Sequence, residues 1–467
     1  MEKTDSQSGP NDYNRREFIQ SATSFSALMA FMGGVPLHAE EATTAPVDTG
    51  YSTVSTPVNC AVIGCGNWGR ELLQTLSRLP NAPVVALCDN YAAAMRRVKE
   101  AAPQAETFAD YHKLLEKKEV QAVLVATPTH QHREIVEAAL AAGKHVYCEA
   151  PLAHTIEDAR AIAKAAKKAF KSNFQSGLQM RSDPQRRFLI PFIRSGATGK
   201  NVMARSQWHK KQSWRRTAPT PEREQVLNWH LRAASSPGLM GELVIHQLDV
   251  VNWMLNTRPA AVSGWGSIRQ WQDGRDVADT VQAMFEFPDG SNYFADATLA
   301  SSFDAAYEML NGSDSAVMLR RDDEGSRAWL FKEVDSPLLG WEVYPPKVQF
   351  YKETGITLMA NASKKPPVLK PGELPPAAVT TLQHALTEFI INSGDLTKGV
   401  ANFTSQFGDD AEAMQEYLAG PTMTKARRPA AGWQEGLEAT VLALTANEAI
   451  IKGSGHRVLI EKQWFEV

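Results

Sequence analysis

One helix in the second half of the chain carries three side chains of the kind that transfer protons. In the stretch GLMGELVIHQLDVVNWMLN, Glu242 and His246 are four residues apart, and His246 and Asp249 are three apart. Residues at these spacings share one face of a helix. A histidine with a pKa near neutrality suits a general base, and a nearby carboxylate can orient its ring. The alternatives are an amphipathic helix with a hydrogen-bonded core histidine and, for Asp249, a structural contact one turn deeper.

A glycine-rich turn near the start of the chain has the spacing of a dinucleotide site. The stretch VNCAVIGCGNWGRELLQTLSRL predicts a strand, a turn with Gly64, Gly66 and Gly69, and a helix. The first glycine suits a tight turn, the second lets the backbone approach a pyrophosphate, and the third lets the helix pack on the strand. The helix N-terminus then offers N–H groups to the phosphates. We therefore predict that this turn, including Asn67 and Trp68, binds the cofactor; the alternative is a structural turn without a ligand.

The next predicted strand bears on the choice of dinucleotide. PVVALCD ends in Asp89. Its separation in sequence from the glycine turn is the one at which a carboxylate binds the adenosine ribose hydroxyls. The sequence therefore favours NAD, because Asp89 would repel a 2′-phosphate. Arg96 and Arg97 lie a little further on and leave room for NADP.

Two more predicted strands end near each other. One ends at Ala126, and the other is the β-rich start of KHVYCEAPLAHT, residues 144–155. The carboxyl ends of parallel strands line the ligand crevice of such a sheet. His130 and His132 have no acidic or cysteine partner, so we predict no metal site. The predicted cofactor contacts from these two strand ends are Thr127, Pro128, His132, Glu149 and Pro151.

The stretch ATPTHQHREIVEAALAAGKHVYCEAPLAHTIEDARAIAKAA resembles the Gfo/Idh/MocA family of sugar and cyclitol oxidoreductases. The resemblance extends over residues 58–350. The family includes the exported glucose–fructose oxidoreductases. The resemblance implies a two-domain NAD(P) enzyme that oxidises a carbohydrate or cyclitol hydroxyl. The family usually has Glu-Lys-Pro after the last strand, and its lysine lies near the nicotinamide and hydrogen-bonds to the reacting hydroxyl. This chain has Ala150 there, so that role cannot be carried over.

The resemblance also implies roles for the helix with Glu242 and His246. The matching family helix reads D-x-x-x-H-x-x-D and presents an acid and a histidine to the substrate. It implies His246 as proton acceptor and Glu242 as its partner or a substrate ligand. Two other classes stay open. One is a glycosidase that uses bound NAD for transient oxidation, elimination and addition of water. The other is a non-catalytic protein that binds a sugar or the cofactor.

The fold class that we predict is α/β, with a Rossmann domain followed by an α+β domain. Strand patterns at 201–208, 260–270, 279–287 and 291–300 predict a large, open, mostly antiparallel sheet there. The stretch WHKKQSWRRTAPTPEREQVLNWH mixes tryptophans with basic residues. The chain's net charge of −3 argues against nucleic acid, whereas aromatic faces with Arg and Lys suit a sugar or an acidic sugar. The alternative is a set of core tryptophans and a solvated loop. The predicted substrate contacts are Gln179, Arg181, Trp208, Lys210, Trp214 and Asp249, with Lys210 or Lys211 replacing the missing lysine.

The N-terminus predicts export. Arg15 and Arg16 precede a modestly apolar stretch that ends in a small-residue cleavage site at Ala39. This pattern is typical of a twin-arginine signal peptide over residues 1–39, and the alternative is a disordered tail with an arginine pair. We therefore expect the twin-arginine machinery as a partner, a periplasmic location and a tightly retained cofactor, since little free NAD exists outside the cytoplasm.

The remaining sequence is divided as follows. We predict a linker at 40–56, the Rossmann domain at 57–180 and the second domain at 181–467, with an insertion at 353–430. We predict no membrane span within the mature chain, and we expect a homo-oligomer. The four cysteines have no metal-ligand spacing, so we interpret them as small buried hydrophobic residues.

Overall fold

The computed structural model describes residues 56–322, 325–334, 336, 347–350, 353–358 and 379–467. The predicted signal peptide at 1–39 and nearly all of the predicted linker lie outside these residues. So do several stretches between 323 and 378. The structure below is that of the described residues.

The first sheet is parallel throughout and has the order β3-β2-β1-β4-β5-β6. β1, β4 and β5 are buried along their whole length, because helices pack on both faces of the sheet. The strand order reverses between β1 and β4, and this opens a crevice at their carboxyl ends. The strands are β1 Cys60–Ile63, β2 Val84–Cys88, β3 Glu106–Phe108, β4 Ala122–Val125, β5 His145–Cys148 and β6 Phe174–Ser176. The helices are α1 Asn67–Leu76, α2 Ala92–Lys99, α3 Tyr111–Leu115, α4 His132–Ala141 and α5 Ile156–Lys168.

The second sheet has ten strands among the described residues and is antiparallel except where β7 pairs with β10. Its order is β14-β15-β13-β12-β11-β7-β10-β9-β8-β16. The strands are β7 Asn201–His209, β8 Ala261–Ser267, β9 Thr280–Glu286, β10 Asn292–Thr298, β11 Ala306–Gly312, β12 Ser315–Asp322, β13 Gly325–Lys332, β14 Lys347–Phe350, β15 Glu353–Leu358 and β16 Arg457–Leu459. Helices α6 Pro184–Phe192, α7 Pro221–Leu227 and α8 Ile245–Leu255 belong to this half of the chain.

Both halves of the predicted fold class are confirmed. The four strands predicted between 201 and 300 are β7 to β10, each within a few residues of its predicted bounds. The other six strands of the second sheet were not predicted. Strands such as β12, SAVMLRRD, mix charged residues with apolar ones, so their alternation is weak. Their place in the sheet depends on pairing with distant strands.

The predicted domain boundaries need correction in the C-terminal part of the chain. β15 belongs to the large sheet, so the predicted insertion at 353–430 starts inside it. Helix α9, Thr381–Phe407, packs its apolar face on the Rossmann core, where the Phe389 and Tyr147 rings lie 5.7 Å apart. It therefore completes the first domain, although it follows the second domain in sequence. Two shorter helices follow, α10 Ala411–Ala419 and α11 Pro421–Ala426.

Helix α12, Trp433–Lys452, lies between the two cores. Leu437 and Val441 pack in the first core, and Ala443 and Ala446 pack in the second. This shared helix therefore joins the two cores.

The structure also bears on two simpler expectations. All four cysteines are buried and free, which confirms their interpretation as small core residues. None of the helices within the described residues has both the length and the apolar character needed to cross a bilayer.

Candidate active site

A cleft of about 1780 Å³ between the domains brings together most of the predicted site residues. Its first-domain wall, from residues 63–150, contains Gly64, Gly66, Asn67, Trp68, Asp89, Thr127, Pro128, His132 and Glu149. Its opposite wall comes mainly from the second domain, is joined by the start of α9, and is called here the second-domain wall. It spans residues 179–384 and contains Gln179, Trp208, Trp214, Glu242 and His246. Five predicted site residues do not line this cleft: Gly69, Pro151, Arg181, Lys210 and Asp249.

The glycine turn is shaped by close backbone contacts. Gly64 has a φ of +93°, and a Cβ atom there would lie 2.6 Å from the Ala126 carbonyl oxygen. A Cβ atom on Gly69 would lie 1.9 Å from the Gly64 carbonyl oxygen. Gly69 therefore acts by packing α1 against the turn, not by contacting a ligand. Gly66, by contrast, faces open space, and no side chain caps the N-terminus of α1. Free N–H groups at such a terminus favour an anion.

Asp89 lies at the end of β2 with its carboxylate held by the backbone. It accepts hydrogen bonds from the N–H groups of Cys65 and Tyr91, each at 2.8 Å. These bonds keep the carboxylate at the cleft edge beside the glycine turn. A carboxylate at this point suits the ribose hydroxyls of a dinucleotide.

Two buried polar atoms at the strand ends have no hydrogen-bond partner among the described residues. They are Oγ1 of Thr127 and Oε1 of Glu149. Burial raises the pKa of Glu149 to about 8, although a hydrogen bond from Trp68 acts in the opposite direction. Native proteins seldom leave buried polar atoms unpaired, so the pair indicates a place for a polar ligand. With the glycine turn and Asp89, these atoms fit a nicotinamide dinucleotide.

His132 links two loops by hydrogen bonds and brings no charge to the site. Its ring nitrogens lie 3.0 Å from the Thr127 carbonyl oxygen and 3.1 Å from that of Pro151. Burial lowers the pKa of His132 to about 4, so the ring is neutral and donates one hydrogen bond at a time. The predicted contact of Pro151 with the cofactor needs correction, because Pro151 contributes its carbonyl to His132 and does not line the cleft.

Glu242 and His246 both line the second-domain wall, but they are not a hydrogen-bonded pair. Glu242 lies in a π-helical turn, Met240–Val244, which precedes α8 and alters the regular helical spacing. Its Oε1 instead accepts a hydrogen bond from Thr129 Oγ1 of the first domain, at 3.2 Å. The predicted pairing of Glu242 with His246 is therefore corrected to a contact across the cleft.

The protonation of these two side chains is set mainly by burial. Burial raises the pKa of Glu242 to about 8, against the hydrogen bond from Thr129. Burial lowers the pKa of His246 to about 4, and the positive charge of Arg321 adds to this effect. At neutral pH, Glu242 therefore carries a proton and His246 is a neutral imidazole, free to accept one.

Arg181 and Asp249 are partners of each other and not of a ligand. The Arg181 guanidinium donates to both Asp249 oxygens over 2.7–3.0 Å. It also stacks on Trp253, 5.1 Å from the ring centre. A buried carboxylate needs such a partner, and Asp249 is only 3% exposed. The predicted substrate contacts of both residues are therefore wrong, and the structural alternative for Asp249 is the one observed.

Lys210 and Lys211 do not replace the missing lysine. Both side chains are exposed and neither lines the cleft. The backbone N–H of Lys210 donates to the carbonyl of Thr298, at the end of β10. The predicted role of Lys210 in substrate binding is corrected accordingly. Ala150 itself lines the cleft.

The aromatic and amide residues predicted for the sugar do line the cleft. Trp208 is the next-to-last residue of β7, and the Trp214 and His230 rings meet edge to face with their centres 5.4 Å apart. Gln179 accepts a hydrogen bond from Thr381 Oγ1 at 3.3 Å. Aromatic faces beside amide groups suit the alternating apolar and hydroxyl surfaces of a sugar ring.

Several lining residues were missed by the sequence analysis. Arg186 forms a buried ion pair with Glu308 at 2.8 Å, and Arg321 donates to Thr381 Oγ1 at 2.7 Å. Glu308 and Arg321 lie on β11 and β12, two strands that were not predicted. Thr129 could have been predicted from the sequence, because it belongs to the same loop after β4 as Thr127.

A further missed contact joins the two walls beside Asp89. The guanidinium of Arg223, on α7, lies 3.9 Å from the centre of the Tyr91 ring. Its buried Nε has no hydrogen-bond partner among the described residues. The adenosine end of the predicted site is therefore bordered by both domains.

Comparison with known proteins gives matches to both domains. Residues 58–175 match the model of the oxidoreductase family with an NAD-binding Rossmann fold, GFO_IDH_MocA. Residues 190–316 match the C-terminal domain model of the same family. Among curated proteins, an inositol 2-dehydrogenase from Salmonella paratyphi B is 29% identical over 201 residues, which are 43% of this chain and 55% of that protein. The chain thus matches about half the length of such relatives.

Solved structures show the same fold at low identity. An oxidoreductase domain protein from Kribbella flavida aligns with a TM-score of 0.64 and 20% identity, over 87% of this chain and 100% of that one. A levoglucosan dehydrogenase in complex with NADH aligns with a TM-score of 0.63 and 17% identity, also over 87% and 100%. Both domains of the chain match models of one family, and the chain therefore belongs to the Gfo/Idh/MocA family of oxidoreductases.

Proposed function

We propose that this protein is an NAD-dependent oxidoreductase that acts on a hydroxyl group of a carbohydrate or cyclitol. One observation carries the proposal. His246 and the protonated Glu242 face Thr127 and Glu149 across a single cleft, beside a glycine turn that fits a dinucleotide. The inositol and levoglucosan dehydrogenases among the similar proteins point to the same substrate class.

The residues of the second-domain wall would handle the proton. Oxidation of a carbinol needs a base for the hydroxyl proton, and the bound nicotinamide would accept the hydride. The neutral imidazole of His246 is the group able to take that proton. Glu242 would donate a hydrogen bond to a substrate oxygen, while Thr129 holds its other oxygen in place. Trp208 and Trp214 would orient the ring.

The first-domain wall would hold the dinucleotide. Gly66 and the N-terminus of α1 would contact the pyrophosphate, and Asp89 the ribose hydroxyls. Thr127 and Glu149 would give their unpaired atoms to the nicotinamide end. We propose NAD rather than NADP, because Asp89 disfavours a 2′-phosphate.

We further propose that the protein is exported by the twin-arginine pathway to the periplasm and retains its cofactor between turnovers. The arginine pair Arg15–Arg16 motivates the first point. The contact of Arg223 with Tyr91, which borders the adenosine end from both domains, supports the second. A homo-oligomer is part of the same proposal, and light scattering of the purified protein tests it.

The test begins with the protein as it is made. The full chain is purified from the periplasmic fraction, and any bound dinucleotide is extracted and identified. Inositols, aldoses and anhydro sugars are then added to the intact protein, and the absorbance of reduced nicotinamide is followed. We expect bound NAD and a rise in absorbance with at least one compound. A protein that neither holds nor binds NAD or NADP would contradict the proposal.

A second candidate is a glycosidase that oxidises its substrate transiently and returns the hydride to it. Such a reaction needs an acid for the leaving group, and the raised pKa of Glu242 keeps a proton on that carboxyl at neutral pH. Ala150, in place of the family lysine, also separates this chain from the usual dehydrogenase pattern. Release of nitrophenol from nitrophenyl glycosides without net NADH would favour this candidate.

A further inference from the structure

We propose that Arg321 is a specificity residue of the cleft and that it selects a carbohydrate bearing a carboxylate group, a sugar acid. The inference rests on the proposed function, because it names the substrate class of the same site. It starts from the missing lysine: Ala150 carries no charge, and Lys210 and Lys211 lie outside the cleft.

Arg321 is placed to contact a ligand. It lies near the end of β12 and lines the same wall as His246 and Gln179. Among the described residues, its guanidinium donates one hydrogen bond, to Thr381 Oγ1 at 2.7 Å. A guanidinium has five N–H donors, so most of them have no partner within this part of the chain. Within the described residues, no carboxylate lies within ion-pair distance of it.

The acidic side chains nearest to Arg321 are engaged elsewhere. Glu308 pairs with Arg186 at 2.8 Å. Asp183 lies 3.6 Å from the same arginine and accepts hydrogen bonds from Ser326 and from the backbone N–H of Gln185. These contacts hold both carboxylates in the wall of the cleft. Arg321 is therefore an exposed cation that lines the cleft and forms no ion pair with any residue that the structure describes.

The negative charge of Asp183 acts on Arg321, the positive charge of Arg186 opposes it, and the residues of the proposed reaction centre add no further negative charge. Glu242 and Glu149 keep their protons at neutral pH, and His246 is neutral. Arg321 is therefore the cation beside the proposed base, and its field reaches His246. A carboxylate that binds a guanidinium through two parallel hydrogen bonds would neutralise it, whereas a neutral sugar would leave it uncompensated.

Binding of an anion at Arg321 also has a consequence for the proton transfer. The positive charge of Arg321 contributes to the lowered pKa of His246. A substrate carboxylate at Arg321 would offset that charge and raise the pKa of His246. A sugar acid would therefore make His246 a stronger base as it binds, and a neutral sugar would not.

The test compares matched pairs of sugars that differ in the carboxylate. D-glucuronate with D-glucose, and D-galacturonate with D-galactose, are titrated by calorimetry into the full chain with its dinucleotide bound. We expect at least one uronate to bind about 10-fold or more tightly than its neutral partner. Arg321→Gln should bring that ratio close to one, and Arg321→Lys should keep part of it. The preference should also fall as salt is raised.

A neighbouring residue provides the control. Arg320 precedes Arg321 on β12, so it points to the other face of the sheet, where it pairs with Asp304 at 3.1 Å. Arg320→Gln should keep the uronate preference. The inference is overturned if no uronate binds better than its neutral partner, or if the preference survives Arg321→Gln in protein that melts like wild type.

The calorimetry also separates this inference from the proposed function. Uronate binding that depends on Arg321, without any change in nicotinamide absorbance, would support the inference and contradict the oxidoreductase. Oxidation of a neutral sugar that binds as well as its uronate would support the oxidoreductase and overturn the inference.

Discussion

The two walls of the cleft are built from different parts of the chain. The first-domain wall consists of loops at the carboxyl ends of neighbouring parallel strands, and each group proposed to hold the dinucleotide directly follows its own strand. The second-domain wall consists of side chains from β7, α8, β11 and β12, together with the start of α9, and these elements are far apart in sequence. The first wall therefore depends on local backbone geometry, and the second depends on pairs of charges that the fold brings together.

This difference predicts separable defects. Changes in the first-domain wall should impair cofactor binding or the packing of the turn. Changes around His246 in the second-domain wall should impair turnover while the cofactor stays bound. Four sets of substitutions test the comparison, from the largest expected effect to the smallest.

The largest effect is expected at the proposed base. His246→Asn removes the group that accepts the proton, so kcat should fall about 10²–10⁴-fold. The extracted dinucleotide per protein should stay the same, because His246 belongs to the second-domain wall. Steady-state kinetics and absorbance of the purified protein measure the two quantities. His456→Asn, at an exposed histidine, is the control. Loss of the cofactor from the His246 variant would show that the walls are not separable.

Substitutions at two glycines of the turn should affect different properties, stability at Gly69 and NAD binding at Gly66. Gly69→Ala places a Cβ atom 1.9 Å from the Gly64 carbonyl oxygen, so α1 must shift and the cofactor-free protein should melt several degrees lower. Gly66→Ala meets no atom within 4 Å, so it should melt like wild type but bind NAD at least about 10-fold more weakly. Thermal melts and NAD titration distinguish the two. Equal melting of both variants would contradict the assigned roles.

The protonated Glu242 should make the stability depend on pH. The folded protein keeps this proton up to a pKa of about 8, whereas the ordinary value is 4.5. The stability from the proton is therefore complete below pH 4.5 and is lost as pH rises to about 8. The Glu242→Gln variant has no such loss. As pH rises from 4.5 to about 8, the melting temperature of wild type should therefore fall by a few degrees relative to that of the variant. Melts of cofactor-free protein measure it. Glu461→Gln, at an exposed carboxyl, should show no such trend.

The smallest effect is expected where the walls meet at the adenosine end. Arg223→Ala removes the stacking on Tyr91, which is worth about 0.5–1 kcal/mol for a pair of this kind, so NAD release should become roughly 2–5-fold faster. Tyr91→Phe keeps the ring and should release NAD at the wild-type rate. Stopped-flow displacement of bound NADH measures both. An unchanged rate in Arg223→Ala would argue that the first-domain wall retains the cofactor alone.

Several features of this protein follow from local sequence alone. The G-x-G-x-x-G turn, Asp89 after β2 and the loops after β4 and β5 all lie on one edge of a parallel sheet, because each motif follows its own strand. The same holds for the four strands between 201 and 300, which have clear patterns. Ala150 shows directly that the family lysine is missing.

Other features were decided only by the tertiary structure. The partner of Glu242 is Thr129, 113 residues away, and the partner of Asp249 is Arg181. Neither pairing follows from helical spacing, because a π-helical turn and the packing of two domains set the directions of these side chains. Arg321 reaches the cleft because β12 pairs with β11 and β13, whose sequences predict no strand by themselves. The charge that Arg321 brings to the cleft is therefore a property of the assembled sheet, whereas the glycine turn is a property of the local sequence.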